Sequence, residues 1–185
     1  MIIEPFEFKL KDGRTAIARS PKDEDIQEML DFLYVTAGET EFILRYPEEC
    51  HMYTAENEKD FFDRINGSPT DAMLICFVDG KIAGNCAINC EPYMKTKHRA
   101  SLAIGLLREF WNQGIGTKLF QRLIEIAEQN KDLIQLELDF IEGNERGQAL
   151  YEKMGFKIVG VKPNAVRLKN GTLLNEYSMI REIKR

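Results

Sequence analysis

Residues Trp111–Leu119, WNQGIGTKL, lie between the apolar run ASLAIGLL (Ala100–Leu107) and the amphipathic stretch FQRLIEIAEQN (Phe120–Asn130). The run before them reads as a strand and the stretch after them as a helix, so the two glycines occupy a strand-to-helix turn. Backbone N–H groups from about Asn112 to Thr117 then converge, unpaired, at a helix N-terminus. Those amides and the helix dipole supply enough positive potential for a pyrophosphate without any lysine. Gly114 and Gly116 let an anion come close where a Cβ would stand in the way. Two other phosphate loops do not fit. A P-loop requires G-x-x-x-x-G-K-[ST], and a dinucleotide fingerprint requires a third glycine where Leu119 stands. On this motif alone, a tight turn with no ligand is an equal alternative.

The chain around the turn divides into short elements. FEFKL and TAIAR read as strands about an Asp-Gly turn. KDED, rich in acid, then opens a helix with Ile26, Met29, Leu30 and Leu33 at helical spacing. AGETEFILRYPEECHMY shows no period and reads as irregular. Thr54 caps a second helix carrying Phe61, Phe62 and Ile65, which Asn66-Gly67 stops. DAMLICFV and KIAGNCAINC form a hairpin about Asp79-Gly80. The second half reads as strand (Ala100–Leu107), helix (Gly116–Asn130), strand (Leu133–Ile141) and helix (Asn144–Met154). Two strands follow, Phe156–Val161 and Leu173–Ile183, with LKNG turning between them. The expected fold is α/β (α+β): a mixed, mostly antiparallel sheet flanked by helices, with one strand–helix–strand crossover.

The length, 185 residues with 44% hydrophobic, suits one domain over 1–185, and no repeat or linker divides it. No apolar window approaches the roughly 20 residues needed to span a bilayer. The N-terminus has no signal-peptide arrangement, so a soluble, cytoplasmic protein with no membrane partner is expected. A net charge of −5 with scattered Lys and Arg argues against a nucleic-acid partner. Cys50, Cys76, Cys86 and Cys90 form no C-x-x-C, and His51 and His98 are isolated, so no metal is expected.

The segment NERGQALYEKMGF (Asn144–Phe156) adds the second signal: an Asn, a Tyr seven residues later and Gly-Phe eleven residues later. Together with the glycine turn it resembles the core of the GCN5-related N-acetyltransferases. The resemblance covers roughly Ala100 to Val161, with NEYSMIREI similar to the family's last strand. Residues 1–99 match only in element order and would hold the substrate-side helices and first strands. Residues 100–161 would form the acetyl-CoA-binding core, and 162–185 the terminal strand.

The resemblance implies a set of roles. Backbone near Ile104 and Leu106 would pair with the pantetheine arm. The amides of Asn112, Gln113, Gly114, Gly116 and Thr117 would hold the pyrophosphate of acetyl-CoA, the co-substrate. Asn144 would hydrogen-bond the pantetheine, and Tyr151 would protonate the departing thiolate. The chemistry suits a phenol: with a pKa near 10 it is a closer match to a thiol near 8.5 than a carboxylic acid near 4. No nucleophilic Ser or Cys is needed when an amine attacks the thioester directly.

The sequence also departs from the family. Trp111 stands where Gln or Arg is frequent, Gly147 stands where Ala is frequent and weakens its helix, and the strand Ala100–Leu107 lacks the carboxylate that serves some members as base. Asp139, twelve residues before Tyr151, is the candidate base; its position resembles that of a Glu in ribosomal-protein N-terminal acetyltransferases. A solvent-facing Asp is the competing reading, with Glu137 on the same face. Glu39, Glu41 and Tyr46, in the irregular segment with Phe42 and Tyr53, are the candidate contacts for a cationic amine. Small amines, polyamines and protein N-termini all remain open as acceptors. A CoA-binding sensor without catalysis is the alternative, and an exposed strand edge offers a route to a homodimer.

Overall fold

Within the computed structural model, residues 1–183 are described; Lys184 and Arg185, the end of the expected terminal segment, lie outside them. Strands β1 (Phe6–Lys9) and β2 (Thr15–Arg19) pair across a turn at Gly13, whose φ is 91°. Helix α1 (Ile26–Glu39) follows. A short 3-10 stretch, Pro47–Met52, gives the segment read as irregular some order of its own. The Thr54 hydroxyl accepts from Asn57 N at 3.2 Å and starts α2 (Ala55–Gly67), the capping expected of it. Strands β3 (Ala72–Val78) and β4 (Lys81–Cys90) are joined by Asp79 and Gly80, both at positive φ (52° and 78°), as a two-residue hairpin turn requires.

Then come β5 (Arg99–Leu106), α3 (Ile115–Gln129), β6 (Gln135–Ile141), α4 (Glu145–Lys153), β7 (Lys157–Arg167) and β8 (Leu173–Glu182). The eight strands form one sheet in the order β1-β2-β3-β4-β5-β6-β8-β7. Every pairing is antiparallel except β5 with β6, the single crossover expected. Strand β7 is longer than its sequence suggested, because Pro163 and Asn164 (φ 52°) sit in a register shift against β8 and do not end the strand. On an edge strand the missing proline N–H interrupts no second ladder.

The run AMLICFV lacks polar alternation because both faces of β3 are covered. Its Ala72, Leu74, Cys76 and Val78 pack in one core with Leu119, Phe120 and Leu123 of α3. Met73 and Ile75 pack in a second core with Met29 and Phe32 of α1 and Phe62 and Ile65 of α2. The two helix pairs therefore cover opposite faces of the sheet.

One irregularity organises the rest. β5 pairs with β4 along seven residues but with β6 only at Arg99, Ala100 and Ser101. Past Ser101 the two parallel strands part, and the edge of β5 that faces β6 has no strand partner. No helix among the described residues is long and apolar enough to cross a membrane.

Candidate active site

The turn after β5 delivers the chain into α3 through Asn112 at φ 63° and Gly114 at φ 97°, the helix N-cap. No side chain caps the helix, and its first backbone bond runs from Lys118 N to Gly114 O at 3.2 Å. The amides of Ile115, Gly116 and Thr117 thus have no intrahelical acceptor. Gly114 is dictated by its backbone angle, since a Cβ there would meet nothing within 4 Å. Gly116 has a different reason. A Cβ on it would come within 2.9 Å of Leu150 Cδ2 and 3.4 Å of Ile104 Cδ1, so this glycine seats α3 against α4 and β5. Gln113 is anchored away from the helix: its Oε1 accepts from Asp12 N and its carbonyl from Lys11 N.

Leu107 N donates to Ala83 O at 3.0 Å, so by alternation the main-chain groups of Ile104 and Leu106 point away from β4, toward the gap. Ile104 keeps that edge free. The carbonyl of Leu106 is taken by the indole N–H of Trp111, at 3.0 Å. Two guanidinium groups lie over the Trp111 ring, that of Arg146 at 3.9 Å and that of Arg108 at 5.3 Å from its centroid. The positive charge missing from the glycine turn is therefore supplied beside it, from α4 and from the end of β5. No spacing in the sequence announces this arrangement.

Asn144 caps α4, its Oδ1 accepting from Gly147 N at 3.0 Å, which leaves Nδ2 as a donor. Gly147 makes this possible, because a Cβ there would lie 2.6 Å from Asn144 Nδ2. The helix-weakening glycine thus holds the Asn side chain in its place. Tyr151, 8% exposed, packs its ring on Phe120 and Phe140 (centroids 5.6 and 6.1 Å). Burial pushes its phenol up to about 12, and Cys86 adds to the effect. Cys86 is the cross-strand partner of Ile104, so the residue the phenol senses lies opposite the free edge of β5. Asp139 is exposed on β6, accepts from Ser178 Oγ at 2.6 Å and lines neither of the two cavities below. Glu137 accepts from Arg99 and Gln135.

Glu39, Glu41 and Tyr46 line a cavity of about 710 Å³ with Arg108, Trp111, Arg146 and Lys169. Two of the three also fasten the site. Glu39 Oε2 accepts from Arg108 N at 2.7 Å, and Tyr46 Oη accepts from Lys169 N at 3.0 Å. Lys169 is also paired with Glu48, which ties the segment after α1 to the β7–β8 turn.

A second cavity, of about 520 Å³, lies between α1, α2 and the β4–β5 floor, and that floor includes Ala103, Ile104 and Gly105. Its charged side chains are Arg45 and Glu58, neither of them singled out by sequence. Glu58 is 7% exposed, and burial raises its carboxyl, with Arg45 acting against the rise. Helical periodicity carried a signal for it: Glu58, Phe62 and Ile65 fall at i, i+4 and i+7, which places a carboxylate on the apolar face of α2. Arg45 lies in a segment without period, and nothing in the sequence marks it. Among the described residues no group of three His, Cys, Asp or Glu is placed to hold a metal ion.

A model of the acetyltransferase (GNAT) family matches residues 37–156, and the chain belongs to that family. An L-amino acid N-acetyltransferase of Escherichia coli (strain K12), AaaT, is 25% identical to it over 119 residues, 64% of this chain and 73% of that protein. A GNAT-family acetyltransferase structure from Streptococcus pneumoniae superposes with a TM-score of 0.85 at 27% identity, covering 91% of this chain and 99% of that one. A phosphinothricin acetyltransferase from Sinorhizobium meliloti, solved in complex with acetyl-CoA, has a TM-score of 0.76 at 16% identity and covers 91% of this chain and 88% of its own; that likeness is one of fold. The chain is accordingly an N-acetyltransferase.

Proposed function

We propose that the protein moves the acetyl group of acetyl-CoA to a primary amine by direct attack within a ternary complex, in one domain spanning the chain. One arrangement supports this: the uncapped amides of α3 follow β5, the β5 edge is unpaired at Ile104, and the Tyr151 phenol senses Cys86, the cross-strand partner of Ile104. The amides of residues 112–117 fit two linked phosphates, and the β5 edge fits an extended amide-bearing arm as an added strand. Asn144 Nδ2 is the side-chain donor for that arm. The amine nitrogen attacks the thioester carbonyl, the C–N bond forms and the C–S bond breaks. Tyr151 gives its proton to the leaving sulfur, and its raised pKa ensures that the proton is present at neutral pH. The AaaT relative acts on L-amino acids by its description, which makes a small amine a natural first acceptor to test.

The test is a binding measurement followed by turnover. Acetyl-CoA should raise the Tm by mass action and change the emission of Trp111, the only tryptophan in the sequence. Thiol release should then depend on an added amine. Absence of both binding signals would refute the proposed site.

A further inference from the structure

We infer that the acceptor is a small molecule of the α-amino-acid class, its carboxylate held by Arg45 and its amine presented to Glu58. This rests on the acetyl-transfer reading above and assigns the second cavity within it. The cavity walls include Phe32, Leu33, Phe61 and Met73, an apolar body for a ligand of modest size. Within those walls stand two opposite charges that sense one another electrostatically yet form no ion pair among the described residues. Arg45 Nε is buried without a hydrogen-bond partner, and its guanidinium rests only over the ring of Tyr53, 5.3 Å away. Glu58 is more deeply buried and receives no hydrogen bond from a described residue.

A buried carboxylate and a half-buried guanidinium left apart carry a desolvation cost that direct contact would reduce. A ligand bearing an anion and an ammonium side by side satisfies both at once. A polyamine does not, because its second ammonium would meet Arg45. A protein N-terminus offers the amine but has an amide where the carboxylate is needed. The floor of the cavity is the β5 segment whose free edge receives the thioester arm, so an amine beside Glu58 lies toward the carbonyl it must attack.

Glu58 then has a chemical task. The ammonium nitrogen gives up two protons on becoming an amide. One passes to the Glu58 carboxylate and on to solvent. The other replaces the proton that Tyr151 has given to the sulfur. The C–N bond is made and the C–S bond broken with no oxidant or metal.

The experiment compares matched acceptors in the thiol-release assay: leucine against 3-methylbutylamine, phenylalanine against phenethylamine, with spermidine and a C-terminally amidated tripeptide alongside. The wild-type protein should favour each amino acid over its decarboxylated partner by roughly 10²-fold or more in kcat/KM, since a site built for a polar group rejects the analogue lacking it. Arg45→Gln should bring that ratio close to one through the KM for the amino acid, and Arg45→Lys should restore part of it. Glu58→Gln should lower kcat and also raise the KM for the amino acid. Unaltered acetyl-CoA binding, read from Trp111 emission, shows that the variants are folded. Equal use of the paired acceptors by the wild type, or preference for spermidine or the peptide, overturns the assignment while leaving acetyl transfer intact. Acetyl-CoA binding with no thiol release for any acceptor overturns both.

Discussion

The two halves of the site are built from different material. The half at the start of α3 uses main chain: free amides, an unpaired strand edge and glycines where the backbone or a neighbour demands them. The half between α1 and α2 uses side chains drawn from separate elements, with Phe32 from α1, Arg45 from a loop, Glu58 from α2, Met73 from β3 and a floor from β4 and β5. A main-chain cradle tolerates most changes of residue type and fails only where a glycine or the helix start is altered. A side-chain cavity can be reset by one substitution without disturbing the fold. The same chain can thus keep a fixed donor and vary its acceptor.

The largest expected effect joins the two halves. Tyr151→Phe should lower kcat by roughly 10²–10⁴-fold, the range for a lost general acid, with the Kd for acetyl-CoA within about twofold. The hydroxyl has no hydrogen-bonding partner among the described residues, so the fold should lose little. Steady-state kinetics with isothermal titration would check both. Unchanged kcat would assign proton delivery to another group.

This contrast also explains what the sequence disclosed. Strand and helix order were legible because periodicity and turn chemistry are local; Asp79-Gly80 and the Thr54 cap are examples. The α3 turn was legible for the same reason, since its ligand groups are consecutive amides. The place of Gly116 against Leu150 was not, because the contact joins two helices. Neither was the Trp111 stack, which draws one arginine from α4. Glu39 and Tyr46 were chosen for charge and aromaticity, yet their partners are Arg108 N and Lys169 N, long-range bonds that composition does not reveal. Arg45 and Glu58 matter through their lack of a partner, which only three dimensions can show.

A smaller effect tests the main-chain half alone. Gly114→Ala places a Cβ in open space, so whatever follows comes from the backbone at φ 97°. A left-handed conformation costs an L-residue roughly 1–2 kcal/mol, equivalent to roughly 5–30-fold in an equilibrium constant. If the turn relaxes to avoid that strain, its amides diverge and acetyl-CoA binds more weakly by about that factor. The preference among acceptors should stay as it was. A shift in acceptor preference with unchanged acetyl-CoA affinity would mean that the two halves are not separable in the way described.

The smallest effect tests the side-chain half through stability. Burial raises the carboxyl of Glu58 in the folded state, so the fold favours its protonated form. Its contribution is therefore fully favourable below the unfolded value, 4.5, and is lost as pH rises from there through the folded value. Arg45 and Tyr53 are the other titratable side chains lining the cavity, and only the charge of Arg45 opposes the shift. Glu58→Gln removes the ionisation, so without acceptor the variant should have the higher Tm at pH 7, and the gap should close as pH falls below about 4.5. A lower Tm for the variant at pH 7 would mean that the carboxylate is already compensated in the empty cavity. Glu58 would then be a structural charge, leaving the acceptor's ammonium without the partner assigned to it.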